Sequence, residues 1–280
     1  MHEKCVPYYL CNKENKTNTD GTSMVDDFVT TEQCPKLEKC CTKNNYVPRP
    51  ENEFCIDSFF NTPEKCGWRN PKGLGGELLS EQYQDRTNYA QYAEFPWVVA
   101  VLEKLHFNGT IVPFFRGGGS LVHPKVVLTA AHIINGVDFV KLVVRAGEWD
   151  TQTDNEICLH EERLVENVKS HEQFNRRNLQ NDIALLILKN EFQLSPFINT
   201  VCLPPKGLNF LNQKCYTSGW GRNKFGAEGL YQVFLKKIDL PIVESSICQV
   251  QLRKTRLGKG FELHEGFLCA GKNFFSSRIC

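Results

Sequence analysis

Three observations predict a mainly β chain: a small disulfide-knotted domain ahead of a larger antiparallel barrel or sandwich. Short β-branched runs recur between turn signals from Phe95 onward, and thirteen cysteines are spread along the whole chain. Five of those cysteines fall in residues 1–41, around a polar middle rich in Asn, Thr and Lys. The strand signals are Val98–Leu102, Val126–Leu128, Lys141–Val144, Ile183–Leu188 and Tyr231–Leu235, at a spacing that fits antiparallel sheet. A helix is expected within 245–254, with Ser245 or Ser246 as its cap and Pro241 just upstream.

Residues 1–41 hold too few apolar side chains to close a sizeable core, so bridges must supply much of their stability. Residues 42–94, rich in Pro, Asn, Gly and charge, read as a linker carrying Cys55 and Cys66. The larger domain is expected over 95–280.

Lys+Arg 33 against Asp+Glu 32 gives a net charge of +1. That balance argues against a general attraction to nucleic acid or to an anionic membrane. No apolar run approaches the roughly 18 to 20 residues that cross a bilayer. The cysteines lack the paired short spacings and matching histidines of a zinc site, so a disulfide framework in an oxidising compartment is expected, with no metal and no cofactor. The sequons Asn15-Lys16-Thr17 and Asn108-Gly109-Thr110 agree with secretion. Met1-His2-Glu3-Lys4-Cys5 offers no signal-peptide core, so the sequence reads either as starting inside a longer precursor or as clipped at its start.

Two segments carry chemistry. Val127-Leu128-Thr129-Ala130-Ala131-His132 puts a histidine directly after a buried strand. Asn181-Asp182-Ile183-Ala184-Leu185-Leu186 puts an aspartate at the head of another. Such a pair can form a dyad in which the carboxylate fixes the imidazole's tautomer. Taken singly, each reads better as a surface histidine or a strand-capping aspartate.

Their setting decides between these readings. Gly-Gly-Ser-Leu (118–121), Leu-Thr-Ala-Ala-His (128–132), Asn-Asp-Ile-Ala-Leu (181–185), Val-Cys-Leu-Pro (201–204), Ser-Gly-Trp-Gly (218–221) and Leu-Cys-Ala-Gly (268–271) occur in that order. Together they resemble the chymotrypsin-like serine proteases. The resemblance implies a double antiparallel β-barrel with His132 and Asp182 at triad positions. Cys-Val-Pro-Tyr-Tyr-Leu-Cys (5–11) and its neighbouring cysteines are similar to the clip domain of arthropod haemolymph proteases. The segments 66–75, 145–153 and 224–233 resemble the phenoloxidase-activating factor 2 group of clip-domain serine protease homologues.

The sequence departs from the catalytic pattern in three places. The nucleophile segment Gly-Asp-Ser-Gly-Gly does not follow Cys269-Ala270-Gly271, and Ser276 and Ser277 lack the glycines that shape an oxyanion turn. The second barrel is therefore expected to be incomplete. The Ile/Val-Val-Gly-Gly start that the family exposes on activation is absent before Phe95-Pro96-Trp97. Gly117 and Ile133 stand where the family places two bridged cysteines, which implies a looser hold on the loop bearing His132.

By resemblance, Cys5 pairs with Cys34, Cys11 with Cys41, Cys66 with Cys202, and Cys248 with Cys269. Cys40, Cys215 and Cys280 are left without partners, and a Cys55–Cys158 bridge is a guess. The resemblance further implies a secreted, non-catalytic cofactor whose partners are prophenoloxidase and its activating clip-domain protease. The alternative is an active trypsin-like endopeptidase whose nucleophile lies outside this sequence.

Overall fold

Alternating burial marks two strands of the first barrel, even the one in which every residue is apolar. In Ala184–Leu188 the odd-spaced residues Ala184, Leu186 and Leu188 are buried while their neighbours are less so, the period-2 signature of a strand with one face on a core. A computed structural model describes residues 3–7, 38–42, 65–74, 88–107, 109–151, 156, 158–211, 213–222 and 231–271. Two short strands, β1 (Glu3–Pro7) and β2 (Glu38–Thr42), pair antiparallel with Cys5 opposite Cys40 and Lys4 opposite Cys41.

The barrel is built from β3 (Val98–Phe107), β4 (Thr110–His123), β5 (Val126–Thr129), β6 (Leu142–Ala146), β7 (Glu161–Ser170) and β8 (Ala184–Leu188). It closes in the order β3-β4-β5-β8-β7-β6, so none of its strands is left as an edge. Val99, Val101, Leu121, Val127, Leu142, Val144, Leu186 and Leu188 fill it. A three-stranded sheet follows, from β9 (Lys214–Gly219), β10 (Lys236–Val243) and β11 (Cys269–Ala270), in the order β11-β10-β9. The fold is mainly β.

Strand β4 carried no sequence signal because Pro113 and the run Gly117–Gly119 break any alternation. The structure explains Gly119. A Cβ there would stand 2.8 Å from Val127 Cγ1 and 3.1 Å from the Leu128 carbonyl oxygen, so close passage of β4 over β5 requires its absence.

Two expectations need correction. Tyr231–Leu235 is not a regular strand. It forms no ladder, and its bridges are the isolated pairs Arg222–Tyr231 and Asp150–Phe234. Tyr231 is exposed while Phe234 and the adjacent Leu235 are both buried, so the run enters the core without alternating, and regular pairing begins at Lys236. The helix spans Ser245–Leu252 and its N-cap is Glu244, with no side-chain cap bond. The Ser246 hydroxyl instead donates to the Glu244 carboxylate at 2.6 Å.

Part of the stretch read as linker belongs to the interior. Ala90, Tyr92 and Glu94 are buried. The Tyr92 hydroxyl donates to the Cys158 carbonyl at 2.9 Å, and Ala90 N–H donates to the Leu235 carbonyl at 2.8 Å.

Candidate active site

Register brings the two chemical segments together. Thr129, the last residue of β5, is the Cα partner of Ala184, the first of β8. Residues 130–132 and 181–183 therefore leave adjacent strands on the same rim of the barrel. Thr129 is buried, and its hydroxyl donates to the Gly118 carbonyl at 2.8 Å, fixing the strand end. The short helix Ala131–Ile134 begins immediately. On the other side Asn181 adopts φ 56°, a left-handed conformation in which Asn is favoured over most residues. Its side chain donates to the Gln173 carbonyl at 3.1 Å, bracing the turn that aims Asp182.

Asp182 grips the histidine twice. Its Oδ1 accepts the His132 backbone N–H at 2.8 Å. Its Oδ2 lies 2.6 Å from His132 Nδ1, so Nδ1–H donates to the carboxylate and, in the neutral imidazole, Nε2 is the acceptor. The Asp182 side chain is 15% exposed and that of His132 52%, so the carboxylate is shielded while the imidazole faces outward. This dyad can hold a base in one tautomer and orientation; hydrolysis also needs a nucleophile and an oxyanion hole. Asp182, His171, Trp97, Tyr216, Ser218 and Phe267 line a cavity of about 810 Å³ between the barrel and the three-stranded sheet.

The loop bearing His132 is held without a covalent tie. Ile133 packs over Gly117 so closely that a Cβ on Gly117 would come within 2.5 Å of Ile133 Cδ1. The Arg116 guanidinium donates to the Ile133 carbonyl at 3.3 Å through both Nε and Nη2. Gly117→Ala should destabilise by about 1–2 kcal/mol through overpacking. The penalty should vanish in an Ile133→Ala background. Thermal melting of the four chains checks this, and an equal penalty in both backgrounds would exclude the contact as its cause.

Sequence reasoning missed a buried charge cluster just before Phe95. Glu94 is fully buried, and its Oε1 and Oε2 accept from Lys237 Nζ at 2.9 and 2.7 Å. Glu94 Oε2 also accepts the Gln91 N–H at 2.8 Å. The Arg69 guanidinium donates to Oε1 through Nε at 3.1 Å and closes an ion pair through Nη2. Arg69 stacks over Phe95 and Tyr216, 4.9 and 4.1 Å from their ring centroids. Burial works against its charge, but the bonds to Glu94 and Tyr216 outweigh it and hold its pKa above the ordinary value.

A second missed group is Glu148, Glu156 and His160, whose ligand-type atoms lie within 4.8 Å of one another. Among the described residues it is the arrangement that could hold a cation. Without one, burial first, and the neighbouring Glu148 second, push the Glu156 carboxyl up to about 9. It therefore keeps its proton at neutral pH. Because the folded value lies above the unfolded one, its contribution to stability is complete below about 4.5 and is lost as pH rises towards about 9. In the presence of a chelator, Glu156→Gln should flatten the fall in stability across that window. Parallel pH profiles of wild type and variant would contradict the assignment.

The structure bonds Cys66 to Cys202 and Cys248 to Cys269. Cys158 is also disulfide-bonded, but the Cys55–Cys158 pairing lies outside the described residues. So do the Cys5–Cys34 and Cys11–Cys41 pairings and the sequon residues Asn15 and Asn108. Among the described residues Cys215 is the free cysteine.

A closed six-stranded antiparallel barrel with a histidine and an aspartate hydrogen-bonded on its rim defines a serine protease scaffold. The chain belongs to the trypsin family, whose model matches residues 85–280, and the model of the PPAF-2 type serine protease clip domain matches residues 1–42. It is 46% identical over 212 residues to phenoloxidase-activating factor 2 of Galleria mellonella, covering 74% of this chain and 68% of that protein. It is 34% identical over 271 residues to inactive CLIP domain-containing serine protease A8 of Anopheles gambiae, covering 95% and 71%. Inactive CLIP domain-containing serine protease A28 of the same mosquito is 38% identical over 288 residues, covering 95% and 72%.

Proposed function

We propose that this chain is a secreted, non-catalytic cofactor of the proteolytic cascade that activates prophenoloxidase. It would act by binding prophenoloxidase and its activating clip-domain protease, through a clip domain at 1–41 and a protease-like domain at 95–280. The observation that carries the reading is the locked segment 88–94. An activatable trypsin-like enzyme frees an Ile/Val-Val-Gly-Gly terminus shortly before its first strand and uses the new amine to order the site. Here that sequence is absent, and the residues before β3 are already fixed in the uncut chain by Glu94, Arg69 and Lys237. The relatives named phenoloxidase-activating factor 2 and inactive CLIP domain-containing serine protease support the same role. No helix among the described residues is long and apolar enough to cross a membrane.

A second reading, an active trypsin-like endopeptidase, draws on one observation: the His132–Asp182 pair keeps a geometry fit for a general base. Because the second reading places the nucleophile outside this sequence, the two separate on arginyl peptide substrates assayed after limited proteolysis of the protein purified from its native source. The cofactor reading expects no turnover, together with co-precipitation of prophenoloxidase. Turnover abolished by His132→Ala would establish the second.

A further inference from the structure

The loop that follows the helix Ser245–Leu252 takes no part in the His132–Asp182 site, yet it carries the densest positive charge in the chain. Arg253, Lys254, Arg256 and Lys259 fall within seven residues that contain no acid, in a protein whose net charge is only +1. Arg253 is committed to the loop itself, its Nε donating to the Phe261 carbonyl at 2.8 Å. Lys254, Arg256 and Lys259 are exposed. Some cations elsewhere, Arg69, Arg116, Lys125, Arg145, Arg163 and Lys237, each meet a carboxylate, while others among the described residues, such as Arg176 and Lys206, stand apart from one. The three loop cations meet none among the described residues.

The loop is shaped before any ligand arrives. Thr255 N–H donates to the Leu252 carbonyl at 3.0 Å, Gly258 N–H to Thr255 at 3.1 Å and Phe261 N–H to Gly258 at 3.1 Å. The Thr255 hydroxyl adds a bond to the Leu252 carbonyl at 2.6 Å. The Cys248–Cys269 disulfide closes the whole segment. Cations held on such a frame lose little freedom on binding.

We infer that this loop is a binding surface for a sulfated polysaccharide. A linear polyanion with closely spaced sulfates is the partner that neutralises three adjacent, unpaired cations, and it gains affinity by releasing condensed counterions. The Arg256 guanidinium offers a planar fork suited to an oxyanion, with Lys254 and Lys259 as point charges on either side. Single-stranded nucleic acid is a poorer match, because residues 253–260 contain no aromatic side chain on which a base would stack. An anionic membrane is poorer too, since three cations at about 1 kcal/mol each, with Leu257 as the one exposed apolar residue among them, make a weak anchor.

The test is retention of the full chain on immobilised heparin, with neutral dextran as the control matrix. Wild type should bind heparin at about 0.1 M salt, where the screening length is about 10 Å, and pass through dextran. Lys254→Ala/Arg256→Ala/Lys259→Ala should weaken heparin binding at least ~10-fold and shift its elution to lower salt. Its melting midpoint should not move, since the altered side chains are exposed. Lys206→Ala/Lys214→Ala, which removes exposed cations elsewhere, should elute like wild type. The inference is overturned by a wild type that passes through heparin, or by equal retention of the triple variant. It is also overturned if single-stranded DNA or phosphatidylserine vesicles displace the chain from heparin more effectively than soluble heparan sulfate does.

Discussion

Glu94→Gln should lower stability by about 3 kcal/mol, because it removes the only carboxylate from a cluster that holds two cations in place. Glu94 has no exposed side-chain surface, while Arg69 and Lys237 expose 26% and 22% of theirs. In a domain of this size the midpoint should fall by roughly 6–12 °C. The loss should be nearly independent of salt, since buried pairs are poorly screened. A double-mutant cycle with Lys237→Met should return a coupling of at least about 1 kcal/mol. A loss below about 1 kcal/mol would show that the cluster does not hold residues 88–94. The same variant should be nicked faster within that segment by a limiting protease, which links the thermodynamic change to the locked conformation.

Trp149→Ala should cost about 4 kcal/mol, the range for emptying an aromatic site in a core. Trp149 is 2% exposed, and its indole N–H donates to the Ala90 carbonyl at 2.8 Å. Its ring meets Phe234 at 4.7 Å and Tyr92 at 6.5 Å between centroids. Its carbonyl accepts from Leu235 N–H at 3.0 Å and from the Trp220 indole at 3.3 Å. One residue thus joins the barrel, the segment before it and the chain that enters the three-stranded sheet. Trp149→Phe keeps a ring and loses the indole donor, so it should cost about half as much. Urea unfolding of both variants separates the packing contribution from the hydrogen bond. Equal costs would mean that packing carries nothing.

The dyad was legible because each member rides on a short apolar strand whose residue pattern survives without context. Val127-Leu128 and Ala184-Leu185-Leu186 declare themselves as strands, and once they pair, Thr129 opposite Ala184 leaves little choice about where His132 and Asp182 lie. Strands β4 and β10 were not legible, since Gly117–Gly119, Pro113 and Pro241 carry signals that usually mark turns. Tertiary pairing overrides those local preferences. The Glu94 cluster was hidden for a different reason. Its members are separated by 25 and 143 positions in the chain, and a lone glutamate before Phe95 says nothing of the cations that fold back onto it. Ile133 likewise read only as the loss of a cysteine. Its packing over Gly117 shows that the loop is held by contact instead.

The central claim, action by binding and not by hydrolysis, is tested most directly by reconstituting phenoloxidase activation. Prophenoloxidase and its activating clip-domain protease are mixed with this chain or with its His132→Ala variant, and phenoloxidase activity is measured. The cofactor account predicts that activity rises when the chain is added and that His132→Ala raises it equally. A stimulation lost with His132→Ala would contradict the account and assign the imidazole a catalytic role.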